Sequence, residues 1–409
     1  MGADIEAKLP SDSSMSWDEL PLVKKLNWTH TIFVVFTPLI SLYGIWTTPI
    51  QKPTLIWSVI YYFVTGLGIT GGYHRLWAHK AYSATVPLQI ILALAGGGAV
   101  QGSIKWWARG HRAHHRHTDT EKDPYSAHKG LFYSHIGWIM MNPEPGKIGY
   151  ADTSDLNSDP IVRFQHKYFL LIALIMGFIF PVVIAGVGWG DWRGGFYFAA
   201  VARLVFVHHA TFCVNSLAHY LGEHSFDDKH TPRDHFVTAF VTLGEGYHNF
   251  HHQFPQDYRN AIRFYQYDPT KWFIHTCSLF GLSYNLKRFP QNEITKGQLQ
   301  MQEKKIEAAK KTLRWGEPLD QLPVYTVKEV EKICHEENRK WIIINNVVHD
   351  VSSFIDDHPG GKALISSAIG KDGTVAFTGG VYDHSNGAKN LVTTMRVGVI
   401  KPVQEDSFS

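Results

Sequence analysis

The hydrophobic pattern divides the chain into two unlike stretches. Four mostly apolar runs, at about 31–50, 54–72, 169–189 and 195–217, the first three uncharged, each approach the roughly 20 residues a helix needs to cross a bilayer. A fifth run, 81–104, is uncharged and also long enough. It joins two histidine-rich segments, however, and a crossing would put them on opposite faces. If those segments share one site, the run must return to the face it left, and Gly96-Gly-Gly98 offers a bend. We therefore expect a re-entrant or interface-lying helix there. Beyond 290 the pattern becomes polar. A charged segment with Lys304-Lys305 and Lys310-Lys311 predicts a solvated helix, and Trp341-Ile-Ile-Ile-Asn-Asn-Val-Val-His-Asp predicts two strands around an Asn-Asn turn.

The expected architecture is mainly α. A polar segment (1–25) precedes a four-helix membrane domain (26–290), followed by a charged helical linker (291–322), a small α+β domain (323–400) and a tail (401–409). The mean hydropathy of −0.14 averages these halves and conceals the membrane part. A net charge of +3 is too small to imply nucleic acid. Cys213, Cys277 and Cys334 form no paired pattern, so disulfides are not expected. Residues 1–25, polar with scattered acids, are not expected to act as a cleavable signal or an Arg-rich transit peptide. Four spans leave both termini on one side. The 74–167 loop carries Arg75, Lys80, Lys105, Arg109, Arg112 and Arg116, whereas the two short turns hold only Lys52 and Arg193. Positive-inside logic places the termini and that loop in the cytosol. Arg203 interrupts the fourth run, where a charge is costly, and the pattern offers no partner for it.

The candidate chemistry lies in the histidines. Three clusters stand beside the apolar runs: His74-Arg-Leu-Trp-Ala-His79, His111-Arg-Ala-His114-His115 and His248-Asn-Phe-His251-His252. His111 and His115 are four apart, as are His248 and His252, so each pair shares a helical face and can grip one metal. His114 and His251 point elsewhere, as ligands to a second metal would. His74 and His79, five apart, would diverge on a continuous α-helix, so the second span is expected to stop between them. Asn215 and His219 form another four-residue pair at the exit of the fourth run. All-imidazole surroundings fit iron, copper or zinc. His208 and His209, inside a span, suit packing or substrate contact. His117, His128, His135 and His224 suit the surface or a supporting role.

In the C-terminal region, Phe354-Ile-Asp-Asp-His358-Pro-Gly-Gly361 and Gly379-Gly-Val-Tyr-Asp-His384 resemble cytochrome b5 over roughly 323–400. The resemblance implies a haem b with His358 and His384 as axial ligands. Two imidazoles leave no open iron position, which suits single-electron transfer. With that carrier beside them, the three clusters, Asn215-Ser-Leu-Ala-His219 and Gly-Tyr-His248 are similar to the boxes of membrane acyl-CoA desaturases. The C-terminal haem domain is the arrangement of the fungal Δ9 enzymes.

The resemblance implies two non-haem irons held by His74, His79, His111, His114, His115, His219, His248, His251 and His252, with Asn215 acting through water. It further implies O2-dependent insertion of a cis double bond at C9–C10 of palmitoyl- or stearoyl-CoA. Electrons would come from NADH–cytochrome b5 reductase, and the location would be the endoplasmic reticulum membrane. By position in the family, Gln101, Trp107 and Thr211 would bend the acyl chain, Tyr62 and Gly66 would close its tunnel, and Arg109 would meet the acyl-CoA head group. The chain is read as lacking a nicotinamide fingerprint of its own. Two other readings stay open from residues alone. One is a lipid hydroxylase on the same metal scaffold; the other is a non-catalytic membrane electron carrier with structural zinc.

Overall fold

A computed structural model describes residues 17–379 and 383–401. Residues 1–16, 402–409 and 380–382, which include much of the expected N-terminal segment and tail, lie outside the described residues. The chain forms two compact units, Met1–Glu303 and Lys304–Ser409.

In the first unit, four helices are long and apolar enough to cross a membrane: Trp28–Thr47, Lys52–Ala78, Phe169–Trp189 and Trp192–Tyr220. Their exposed faces carry side chains such as Ile32, Phe36, Leu39, Ile56 and Leu170, and their inner faces carry small and hydroxyl residues such as Thr54, Thr65 and Ala199. Small inner residues let the backbones approach, which substitutes for a hydrophobic drive in lipid. The fifth run is not a span. It forms a helix over Val86–Gly97 of only 12 residues, which Gly98 ends. Val100 and Gly102 then adopt positive φ, and the chain turns back into the helix Ile104–His117.

The second span ends between His74 and His79 as expected, at Ala78, but its last turns are not α-helical. From Gly68 to Ala78 it continues as a π-helix of 11 residues. The His79 N–H bonds to the His74 carbonyl at 3.0 Å, an i→i+5 link that sets residues five apart above one another. Glycine makes room for this wider helix. A Cβ on Gly68 would lie 2.2 Å from the Gly96 backbone nitrogen, and one on Gly96 would lie 2.4 Å from the Tyr73 ring. Gly68→Ala should therefore cost roughly 1–3 kcal/mol, because backbone rather than a movable side chain blocks it. A lowered thermal midpoint of the detergent-solubilised protein checks this, and an unchanged midpoint refutes it. Gly66-Leu-Gly-Ile-Thr-Gly71 also has the literal spacing of a dinucleotide fingerprint, which the sequence reading passed over. It lies inside a membrane helix, not between strand and helix, so it makes packing contacts and no phosphate cradle.

Arg203 has a structural explanation. It is 2% exposed, and its guanidinium donates to the carbonyls of Ala199, Gly98 and Gly177 at 3.1, 2.8 and 2.7 Å. It also sits over the Tyr61 ring at 4.9 Å. Gly98 is the cap of the short helix, and Gly177 and Ala199 belong to π-helical stretches. Irregular backbone leaves carbonyls that lipid cannot satisfy, and this cation satisfies three of them.

The linker helix, Gln291–Lys310, is mostly exposed, as expected, but two of its side chains, Ile294 and Met301, are buried. Ile294 packs with Phe226, Phe250 and Phe254, so the helix begins as a buttress for the segment carrying the third histidine cluster.

The second unit holds a four-stranded sheet in the order Val324–Tyr325, Arg396–Ile400, Val347–Asp350, Trp341–Ile344. The hairpin pairs Ile344 with Val347 around Asn345 and Asn346, both at positive φ. That is the geometry an Asn-Asn two-residue turn supplies. A capping box of Thr326 and Glu329 starts the helix Val327–Glu336.

Candidate metal centre and haem-binding site

The π-helix brings His74 and His79 to the end of the second span. The helix Ile104–His117 carries the second cluster, and the short helix His248–Gln253 carries the third. His219 comes from the four-residue helix Leu217–Tyr220 at the close of the fourth span. Their imidazoles converge into two groups. One holds His74, His79, His111, His115 and His251; the other holds His114, His219, His248 and His252. Within each group the ligand atoms lie within 4.8 Å of one another. The four-residue pairs stay together, while His114 and His251 cross over, each joining the pair of the other helix.

The rings meet through Nε2. These atoms are 3.0 Å apart for His74–His251 and His251–His115, and 2.8 Å for His79–His111. In the other group they are 3.2 Å apart for His114–His252 and 3.1 Å for His252–His248. From behind, Nδ1 meets oxygen. His74 faces Glu245 at 3.0 Å, His114 faces Asp123 at 2.8 Å, and His111 faces the Tyr125 hydroxyl at 3.3 Å. A carboxylate only accepts, so Nδ1 of His74 and His114 carries the ring hydrogen and Nε2 presents a lone pair. His251 touches two other Nε2 atoms, and one ring hydrogen cannot be directed at both. The His219 Nε2 is buried and has no hydrogen-bond partner at all. Lone pairs gathered this way repel unless a cation lies among them, and roughly 2 Å bonds to a shared ion would accommodate the spacing. The residues present therefore fit a metal in each group.

Protonation agrees with this. Burial, reinforced by neighbouring imidazoles, holds His79, His111, His115, His248, His251 and His252 well below the usual 6.5. Neutral imidazole is the form that binds metal. Burial would raise the Glu245 carboxyl, but Arg75 and His74 outweigh it and bring it down to about 2. Burial likewise opposes ionisation of Asp123, yet His114 and two backbone amides hold it below its ordinary value. Arg75, itself buried, donates to Glu245 at 2.8 Å and to both oxygens of Asp268. Glu245 reaches this place between Gly244, whose φ is +98°, and Gly246, where a Cβ would lie 2.1 Å from the Ala239 nitrogen.

The other expected residues are placed as follows. Trp107 stacks on His111 at 4.9 Å between ring centres. The Gln101 amide donates to Thr211 Oγ1 at 2.9 Å. The Tyr62 hydroxyl donates to the Val241 carbonyl at 3.3 Å, and a Cβ on Gly66 would lie 2.4 Å from Leu243 Cδ1. Arg109 is half-buried on the second-cluster helix, and Asn215 ends the helix that precedes His219. His208 bonds the Ala99 carbonyl, and His209 meets His135 at 3.0 Å, outside both groups. Sequence reasoning missed Asp119, Asp123, Thr231 and Glu245. The acids of the Thr118-Asp-Thr-Glu-Lys-Asp123 run directly behind the second cluster were the available signal.

In the second unit, the His358 and His384 rings are 6.3 Å apart, 34° from parallel. Nδ1 of His358 faces the Gly361 carbonyl at 3.3 Å and Nδ1 of His384 faces that of Phe377 at 3.0 Å. Each ring hydrogen is thereby placed on Nδ1, and the ring separation suits a metal ion held between the two imidazoles. The glycine after Pro359 is required: a Cβ on Gly360 would lie 2.9 Å from the His358 ring.

Fold and site together define a four-span membrane protein with a two-group polyhistidine centre and a small domain built for bis-imidazole ligation. Residues 52–287 match the fatty acid desaturase family, and 326–401 match the cytochrome b5-like heme/steroid binding domain. Similar proteins include a "Probable acyl-CoA desaturase" of Schizosaccharomyces pombe, 55% identical over 92% of this chain and 78% of that one. "Acyl-CoA desaturase 1" of Saccharomyces cerevisiae is 48% identical over 92% and 74%. Human "Stearoyl-CoA desaturase" is 38% identical over 64% and 74%. The chain belongs to the fatty acid desaturase family and carries a fused cytochrome b5-like domain. Its cofactors are accordingly haem and a di-iron centre.

Proposed function

We propose that this chain is an oxygen-dependent Δ9 acyl-CoA desaturase that inserts a cis double bond into palmitoyl- and stearoyl-CoA with electrons from its own haem domain. The observation that carries the reading is the pair of convergent imidazole groups in a chain that also holds a bis-histidine haem site.

The nine histidines would hold two irons, one at the five-imidazole group and one at the four-imidazole group, and Asn215 would act through water. Iron held there would supply the oxidising power to take two hydrogens from an unactivated methylene pair, which together with two electrons and two protons would reduce dioxygen to two waters. The protein's share is positioning. Glu245 and Asp123 fix the tautomers of His74 and His114 so that both present lone pairs inward. Trp107, stacked on His111, and the Gln101–Thr211 pair bend the acyl chain beside the centre. Tyr62 and Gly66 close the far end, where Leu243 fills the space a Gly66 side chain would take. Arg109 meets the acyl-CoA phosphates.

His358 and His384 would hold a haem that passes electrons singly, supplied by a separate NADH–cytochrome b5 reductase. The basic 74–167 loop supports a cytosolic centre and cytosolic termini in the endoplasmic reticulum membrane.

The test is expression in a cell lacking its own Δ9 desaturase, with double bonds located by mass spectrometry. New cis-9 palmitoleate and oleate are expected. Hydroxylated lipid would transfer the assignment to an oxygenase. No product despite good expression, a haem spectrum and full iron content would refute it.

A further inference from the structure

His219 differs from the other eight histidines. It comes from no cluster. Each of the other eight has its Nε2 within 3.2 Å of another Nε2. The Nε2 of His219 has no partner, although the residue is 4% exposed. No hydrogen bond from its neighbours in the group therefore fixes its tautomer. It is held from behind, by Nδ1 to Thr231 Oγ1 at 2.7 Å.

The direction of that bond follows from the next one. Thr231 Oγ1 lies 2.6 Å from Asp119 Oδ1, and the Thr231 N–H donates to Asp119 Oδ2 at 2.7 Å. The carboxylate accepts both, so the hydroxyl hydrogen is committed to Asp119. The hydroxyl must then accept from His219 Nδ1–H, which leaves Nε2 with a lone pair aimed into the group. Asp119 holds a left-handed backbone, with φ of +65°, immediately after the helix carrying the second cluster.

The same loop supports two further members of this group. Asp123 holds His114 and accepts from the Asp119 N–H at 3.0 Å, and Thr118 Oγ1 lies 3.5 Å from His252 Nδ1. The five-histidine group is supported differently, by Glu245 backed by Arg75.

We propose that Asp119 and Thr231 are positioning residues that make His219 a metal ligand, so that occupancy of the four-histidine group depends on this clamp while the five-histidine group does not. The proposal rests on the metal-binding reading above. Partners of this kind are worth roughly 10–100-fold in metal affinity.

The experiment titrates cobalt(II) into the full-length, chelator-stripped protein, read by visible absorption and elemental analysis, with haem absorbance as the folding control. The parent chain should take two cobalt ions. Thr231→Val keeps the shape and removes the hydroxyl. It should bind one ion as the parent does and the other roughly 10–100-fold more weakly. Thr231→Ser, which restores the hydroxyl, should restore the second ion. Parental binding of both ions by Thr231→Val would overturn the clamp and leave the metal reading standing. Equal weakening of both ions, or failure of serine to rescue, would also overturn it. A parent chain that takes no cobalt would fail the metal reading itself, a separate outcome.

Discussion

Replacing His251 with alanine should abolish desaturation, by at least ~100-fold, while haem absorbance stays at the parental level. The loss should exceed the 10–100-fold typical of groups that only support a ligand. His251 lies at the centre of its group: its Nε2 is 3.0 Å from those of His74 and His115, and its ring is 4.6 Å from that of His79. It is also the residue through which the third cluster contributes to the five-histidine group. Its removal leaves four imidazoles contributed by the first and second clusters alone. Elemental analysis should find less non-haem iron than in the parent, and product analysis should find no new double bonds. His275→Ala, in a helix away from both groups, serves as the control. Unaltered activity in His251→Ala would show that the assigned centre does not perform the reaction.

Much of this centre was legible because side-chain spacing maps directly onto a helical face. His111 with His115, and His248 with His252, needed only the periodicity of an α-helix. The same geometry turned His114 and His251 away from their own pairs, but that each joins the opposite pair became visible only in the folded chain. The four spans and the short helix between the first two clusters were legible from length, charge and the need to return to one face. The first cluster was harder. A five-residue spacing fits no α-helical face, so a helix end was the natural inference. The π-helical turn, set by Gly68 against Gly96, is tertiary packing that local pattern does not encode. Arg203 was opaque for the same reason, since its partners are backbone carbonyls exposed by irregular helix geometry. Asp119, Thr231 and Glu245 were missed because they act through contacts 112 to 171 positions distant in sequence or through another residue. Glu245 lies far from His74 along the chain, and Thr231 far from Asp119. Ile294 looked like one apolar residue in a charged helix until its neighbours Phe226 and Phe250 came from elsewhere.

His358→Ala should separate electron supply from chemistry. The variant loses one of the two imidazoles that face each other at 6.3 Å, so the haem's absorption should disappear or shift to that of a mono-histidine species. The histidines of the metal centre belong to the other compact unit and should keep their non-haem iron. Desaturation should fall because the donor is gone, not because the site is damaged. Adding free cytochrome b5 should restore part of it, and the amount required is itself informative. A tethered partner acts at an effective concentration of order mM, provided its linker permits docking. A free donor at μM levels should therefore recover only a small fraction of the rate, with recovery rising as donor is added. The same addition should leave His251→Ala inactive, since its defect lies in the centre. Full activity of His358→Ala without added donor would show that electrons reach the centre by another route.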